Sequence, residues 1–233
     1  MNAYKVGVVF RTEMLGTASL NTELYADFIA SKAPDEMDTD DELETISADE
    51  LTEKGTTGFR RLPDGTPCLV DYMWKGFFKD AAKHLRRETG SRSAKMTAYR
   101  QRIDGNLFVF PRFIPLTWDG MWDETGENGP ALPVCVRPLR ASTAQGERIA
   151  LARSEIVPAG ATMEFHILTF GGIAEADMRE WLTYGMVRGM GSWRNAGYGA
   201  FFFELAEMFD NEKEDVVRGL ADAGKLLGFA KQH

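Results

Sequence analysis

The chain has 233 residues, 44% of them hydrophobic, enough to bury a real core in one large domain or one domain with insertions. Its formal net charge of −8 argues against a simple nucleic-acid binder, so the distribution of charge matters more than its sum. No apolar run approaches membrane-spanning length, the N-terminus is no signal peptide, and Cys68 and Cys135 have no metal spacing, so a cytoplasmic protein with reduced thiols is expected.

In chain order, residues 4–10 alternate Val6, Val8 and Phe10 on one side and predict a first strand. Residues 11–20 read as a turn, and a short helix to Lys32 follows with Leu24, Tyr25, Phe28 and Ile29 as its stripe. Pro34 ends it. Residues 35–53 then carry ten acids and no base, with few apolar residues, and mark a mobile acidic insertion across 35–58. Leu62-Pro-Asp-Gly65 is a turn signal, with a short strand at 67–70.

The helix predicted over 71–88 buries Trp74, Phe77, Phe78, Ala81 and Leu85. Beside that stripe Lys75, Lys79, Lys83 and Arg86 form a basic ridge. Residues 75–102 hold nine bases against two acids, so the chain is polarised rather than uniformly acidic. Residues 106–116 predict a strand interrupted by Pro111, which restricts it to an edge or bulge. Residues 117–132 read as a loop with Trp118 and Trp122, suited either to protrude or to fold back onto the body.

A strand at 133–137 leads into Arg137, Arg140, Arg148 and Arg153, with a small, polar stretch at 141–146 between them. Residues 161–170 predict a strand, 175–189 a helix, 200–207 a last strand and 211–230 a C-terminal amphipathic helix. The core order is therefore βαββαβ, an α+β ferredoxin-like arrangement with insertions and a terminal helix, and residues 1–233 are expected to form one domain.

The most informative stretch runs from Gly189 through Gly191, Ser192, Trp193, Arg194, Asn195 and Gly197 to Gly199. Its order is helix, glycines, strand. Phosphate loops of the P-loop and dinucleotide-binding kinds run strand, glycines, helix, because phosphate sits at a helix N-terminus. A ligand here would meet loop amides and the Arg194 and Asn195 side chains instead. One glycine after a helix is an ordinary cap. Four in a spaced pattern suggest a backbone that something approaches closely.

This spacing resembles the C-terminal glycine-rich loop of the RAMP superfamily, RNA-binding ferredoxin-like proteins of CRISPR systems. Residues 69–79 resemble the first-helix segment of the subunits that coat guide RNA, through Lys75 and Gly76, while Met73 and Trp74 replace small polar residues. The resemblance covers about a third of the chain. The chain also resembles uncharacterised phage-encoded proteins, which assigns no function.

The resemblance implies single-stranded nucleic acid, RNA favoured, as partner, with Lys75, Gly76, Lys79, Arg137, Arg140, Gly189, Gly191, Trp193, Arg194, Asn195, Gly197 and Gly199 as its contacts. RAMP-type processing nucleases place a histidine near the first helix, and nothing here matches it. Subunits of the family that cut target RNA use an aspartate after the first strand, where residues 11–21 hold Glu13 and no aspartate. His84, His166 and His233 have no neighbours at catalytic or metal spacing, so no cofactor or metal is expected. The alternatives are a phage-borne interaction or nucleic-acid-mimic protein acting through the acidic segment, and a metal-dependent endoribonuclease.

Overall fold

The computed structural model describes residues 1–19, 56–118, 131–143 and 146–208. The first strand, β1 (Asn2–Phe10), is followed by two short ones, β2 (Met14–Leu15) and β3 (Ala18–Ser19). After the acidic segment come β4 (Thr57–Gly58), β5 (Arg60–Arg61) and β6 (Pro67–Val70), then helix α1 (Asp71–Leu85). Helix α2 (Tyr99–Asn106) leads directly into β7 (Leu107–Phe110) and β8 (Phe113–Pro115). A long hairpin, β9 (Val134–Thr143) and β10 (Gly146–Val157), precedes β11 (Thr162–Thr169), α3 (Glu175–Arg188) and β12 (Phe201–Glu207).

The fold is α+β. Its central sheet is fully antiparallel in the order β12-β1-β11-β7, with β1 between β11 and β12. Alternation along β1 sends Val6, Val8 and Phe10 to one face, where Phe165, Ile167, Phe201 and Leu205 join them. Helices α1 and α3 cover that face with Trp74, Phe77, Phe78, Trp181 and Leu182, all in the same core. Trp74 stacks tilted on Phe165 at 4.4 Å between ring centroids, and Phe78 meets Trp181 at 5.8 Å. Gly185 of α3 is closed in: a methyl there would overlap the rings of Phe77 and Phe201. Asp177 starts α3 by reaching back to accept the Ala174 N–H at 2.8 Å.

A second sheet runs β2-β10-β4-β3, with β9 paired to β10, and a third runs β5-β6-β8. Glu155 ties the first of these to the 57–61 segment, accepting from Arg61 at 2.7 Å and from the Phe59 N–H at 2.9 Å.

Two points depart from the sequence reading. The strand predicted over 106–116 is two strands in different sheets: β7 is the edge of the central sheet, whereas β8 pairs with β6. Helix α2 escaped the sequence reading because Ile103 is its one buried residue, so it has no apolar stripe to detect. Residues 134–143 and 146–157 pair as one long hairpin, in register from Gly146↔Thr143 to Glu155↔Val134.

The predicted helix before Pro34, the acidic segment up to residue 55, Trp122 and the predicted helix over 211–230 lie outside the described residues. Of the predicted loop over 117–132, Trp118 folds back against the main core.

Candidate nucleic-acid interface

The glycine loop is held by the segment that follows β1. The Arg11 N–H donates to the Ala200 carbonyl at 2.7 Å, and the Gly199 N–H donates to the Glu13 carbonyl at 2.7 Å. Thr12 bridges the two segments: its hydroxyl donates to the Gly197 carbonyl and accepts from the Ala200 N–H, both at 2.9 Å. Within the loop, the Met190 N–H donates to the Gly199 carbonyl at 2.9 Å.

All four glycines have positive φ, +77° at Gly189, +83° at Gly191, +88° at Gly197 and +73° at Gly199, yet they serve two different ends. A methyl on Gly189 would overlap the Tyr198 carbonyl, and one on Gly199 the Met190 carbonyl. A Cβ on Gly191 would lie 2.9 Å from the Leu15 carbonyl oxygen. These three let the chain approach itself. Gly197 is exposed, and a Cβ there would meet nothing within 4 Å.

Trp193 stands beside that open glycine in the left-handed region, φ +56°. Its ring lies nearly parallel to Tyr198 (13° between planes, centroids 5.6 Å apart) and the residue is 41% exposed. Arg137 of β9 brings its guanidinium 5.1 Å from the Trp193 ring centre. That guanidinium donates to the hydroxyls of Ser154 at 3.1 Å and Ser192 at 3.2 Å. The hairpin and the loop are thereby joined through an arginine only 6% exposed. Burial pulls the Arg137 pKa below the ordinary arginine value, but the group stays charged at neutral pH. Burial, with Cys135 and Glu13 nearby, pushes the Tyr198 phenol up.

The other flank of the loop is clamped to α1. Arg194 donates to the Asp80 carboxylate at 2.7 Å, and His84 meets the same carboxylate at 3.1 Å. Arg188 approaches Asp80 at 4.0 Å and donates to the Asn195 side-chain oxygen at 2.6 Å. His84 in turn stacks on Tyr184. One buried carboxylate thus orders two arginines and a histidine at the end of α3.

The remaining sequence-predicted residues sit apart from this cluster. Lys75 donates to the Asp104 carbonyl at 3.1 Å and lies 4.7 Å over the Phe108 ring, while Lys79 pairs with the Asp104 carboxylate at 3.2 Å. Both therefore tie α1 to α2, and burial lowers the Lys75 pKa. Gly76 is on the buried face of α1. Arg140 lies further along β9, opposite Ile149. Sequence reasoning missed Ser154, Ser192, Tyr198, Asp80 and Arg188. Ser192 and Tyr198 lay inside the glycine motif and could have been included; Asp80 and Ser154 gave no signal, because only the tertiary contacts single them out.

The chain is similar in structure to subunits of CRISPR complexes. One match is to a chain of the type III-B Cmr-beta complex bound to cognate target RNA, at 13% identity and a TM-score of 0.49, covering 89% of this chain. The chain spans 60% of the length of that subunit. Another is to a chain of a type IV-B CRISPR complex, at 12% identity and a TM-score of 0.44, covering 88% of this chain and 90% of that one. No protein-family model and no curated protein matches the sequence.

Proposed function

We propose that this is a non-catalytic, RAMP-like protein that binds single-stranded nucleic acid, RNA favoured, along the glycine loop. Within this reading the central sheet and its two helices are a ferredoxin-like core, an assignment supported by the all-antiparallel order β12-β1-β11-β7.

The observation that carries the proposal is the exposed Trp193, stacked on Tyr198 with Arg137 against its ring, next to the open Gly197. Single-strand binders combine aromatic faces, on which bases stack, with cations that track the phosphates. Trp193 supplies the first and Arg137 the second, while Asn195 and Gly197 offer exposed polar backbone and side chain beside them. Asp80 and Arg194 act from behind, fixing the loop on α1. Lys75, Lys79 and Arg140 extend the path only if the strand runs beyond the loop.

Anisotropy of a labelled single-stranded RNA, titrated at two salt concentrations against the matching duplex, tests this. Base stacking is worth about 1–3 kcal/mol per base, so Trp193→Ala should weaken single-strand binding by about 5- to 150-fold. Equal affinity for wild type and variant, or no binding by the wild type, would remove the proposal.

A further inference from the structure

Arg137 differs from the other partly or fully buried arginines among the described residues. Arg61 is paired with Glu155 at 2.7 Å, Arg188 with Asp80 at 4.0 Å, and Arg194 with Asp80 at 2.7 Å. Arg137 is more deeply buried and has no carboxylate among the described residues; its partners are two neutral hydroxyls and the Trp193 ring. A guanidinium carries five N–H donors, and its Nε here has no acceptor among the described residues.

Taking an unpaired charge out of water costs several kcal/mol, and a cation–π contact returns only about 0.5–2 kcal/mol. The hydroxyls do not balance the charge either. Ser154 shares a hydrogen bond with Thr57 at 2.7 Å, and the Thr57 hydroxyl has the Arg153 carbonyl as acceptor at 3.3 Å, which leaves the Ser154 oxygen to accept from Arg137. Ser192 accepts from Arg137, and its own hydroxyl proton has no acceptor among the described residues. The site thus offers spare guanidinium and hydroxyl donors and, among the described residues, no counter-charge.

We propose that Arg137 and Ser192, backed by Ser154, form a phosphate pocket beneath Trp193, which takes one phosphate of the strand while a base stacks on the ring. This rests on the single-strand reading above and assigns its anchoring group. The side that faces outward is Ser192 and the exposed Trp193, so a phosphate oxygen meets the Nη2 and the Ser192 hydroxyl first. Because Nε is shut off from solvent, a side-on, two-bond contact through Nε and Nη2 moves the Trp193 ring, and the indole reports the event.

The test uses the full chain with two probes. Inorganic phosphate is titrated at fixed ionic strength while tryptophan emission is followed, with Trp193→Phe identifying the signal. In parallel, 5′-hydroxyl and 5′-phosphorylated single-stranded RNA are titrated over a salt series. Each phosphate neutralised on a single strand contributes about 0.7 to the slope of log K against log salt. Arg137→Met should abolish the phosphate response and lower that slope by about 0.7, whereas Arg137→Lys keeps the slope and weakens binding.

Loss confined to the phosphorylated RNA identifies a terminal phosphate as the occupant; equal loss for both identifies an internal phosphodiester. Ser192→Ala leaves the charge in place and should weaken phosphate severalfold, which keeps the test decisive if Arg137→Met does not fold. RNA binding with an unchanged salt slope in Arg137→Met, or phosphate binding untouched by Ser192→Ala, overturns the pocket and leaves the single-strand reading standing. Wild-type protein that responds to phosphate but ignores RNA keeps the pocket and removes that reading.

Discussion

Alanine at Gly197 and at Gly199 should have sharply different consequences, although both are positive-φ glycines of one motif. At Gly197 the added methyl meets nothing within 4 Å, so only the left-handed backbone opposes it, about 1–2 kcal/mol for an L-residue. At Gly199 the same strain applies, and the methyl would also overlap the Met190 carbonyl. Relief requires parting Met190 from Gly199, and Gly199 from Glu13, which breaks two backbone hydrogen bonds of 2.9 and 2.7 Å.

At about 0.5–1.5 kcal/mol each, those bonds bring the Gly199→Ala loss to about 2–5 kcal/mol. A chain of this size loses about 2–4 °C of Tm per kcal/mol, so the two variants should separate clearly in thermal melts and in urea midpoints at constant m. A Gly199→Ala protein no less stable than Gly197→Ala would refute the assignment of Gly199 to internal close approach. The same pair probes function. Gly197→Ala puts its methyl on the proposed path of the strand, so it should weaken RNA binding more than its small stability loss explains; unchanged affinity removes Gly197 from the contact surface.

Two further outcomes follow from the loop's surroundings. Asp80→Ala should destabilise the protein by about 3–5 kcal/mol in urea unfolding, because it strands Arg194 and Arg188 without their shared buried carboxylate; Asp80→Ala with Arg194→Met should recover part of the loss, and additive losses would show that the clamp is not a coupled pair. Burial raises the Cys68 pKa above the ordinary thiol value, so its contribution is full below that value and is lost as pH climbs through the folded one; the stability difference between wild type and Cys68→Ala should therefore shrink from pH 8 to pH 10, and a difference that stays constant or grows would contradict it.

Much of the fold could be read from periodicity. Val6, Val8 and Phe10 alternate because β1 has one face on the core, and Trp74, Phe77, Phe78 and Ala81 repeat at helical spacing because α1 packs on that same face. The helix, glycine, strand order around Gly189 to Gly199 was visible for the same reason. Helix α2 was not, since a helix with one buried residue leaves no stripe. The separation of β7 from β8 was not either, because both strands are apolar and only pairing with β11 or β6 tells them apart.

The candidate site divides along the same line. By itself the sequence determined that four glycines, Trp193, Arg194 and Asn195 lie together between a helix and the strand that follows it, because spacing along a chain is local information. Tertiary structure alone decided which glycines close on backbone and which one stays open, since that depends on how the loop folds Met190 and Tyr198 back on itself and on the Leu15 carbonyl brought in from the segment after β1. It also separated the basic residues into roles. Lys75, Lys79 and Arg194 are spent on Asp104 and Asp80, whereas Arg137, brought in by a hairpin, is left with hydroxyls and an indole. Charge is a property of a residue; whether it is already neutralised is a property of its neighbours.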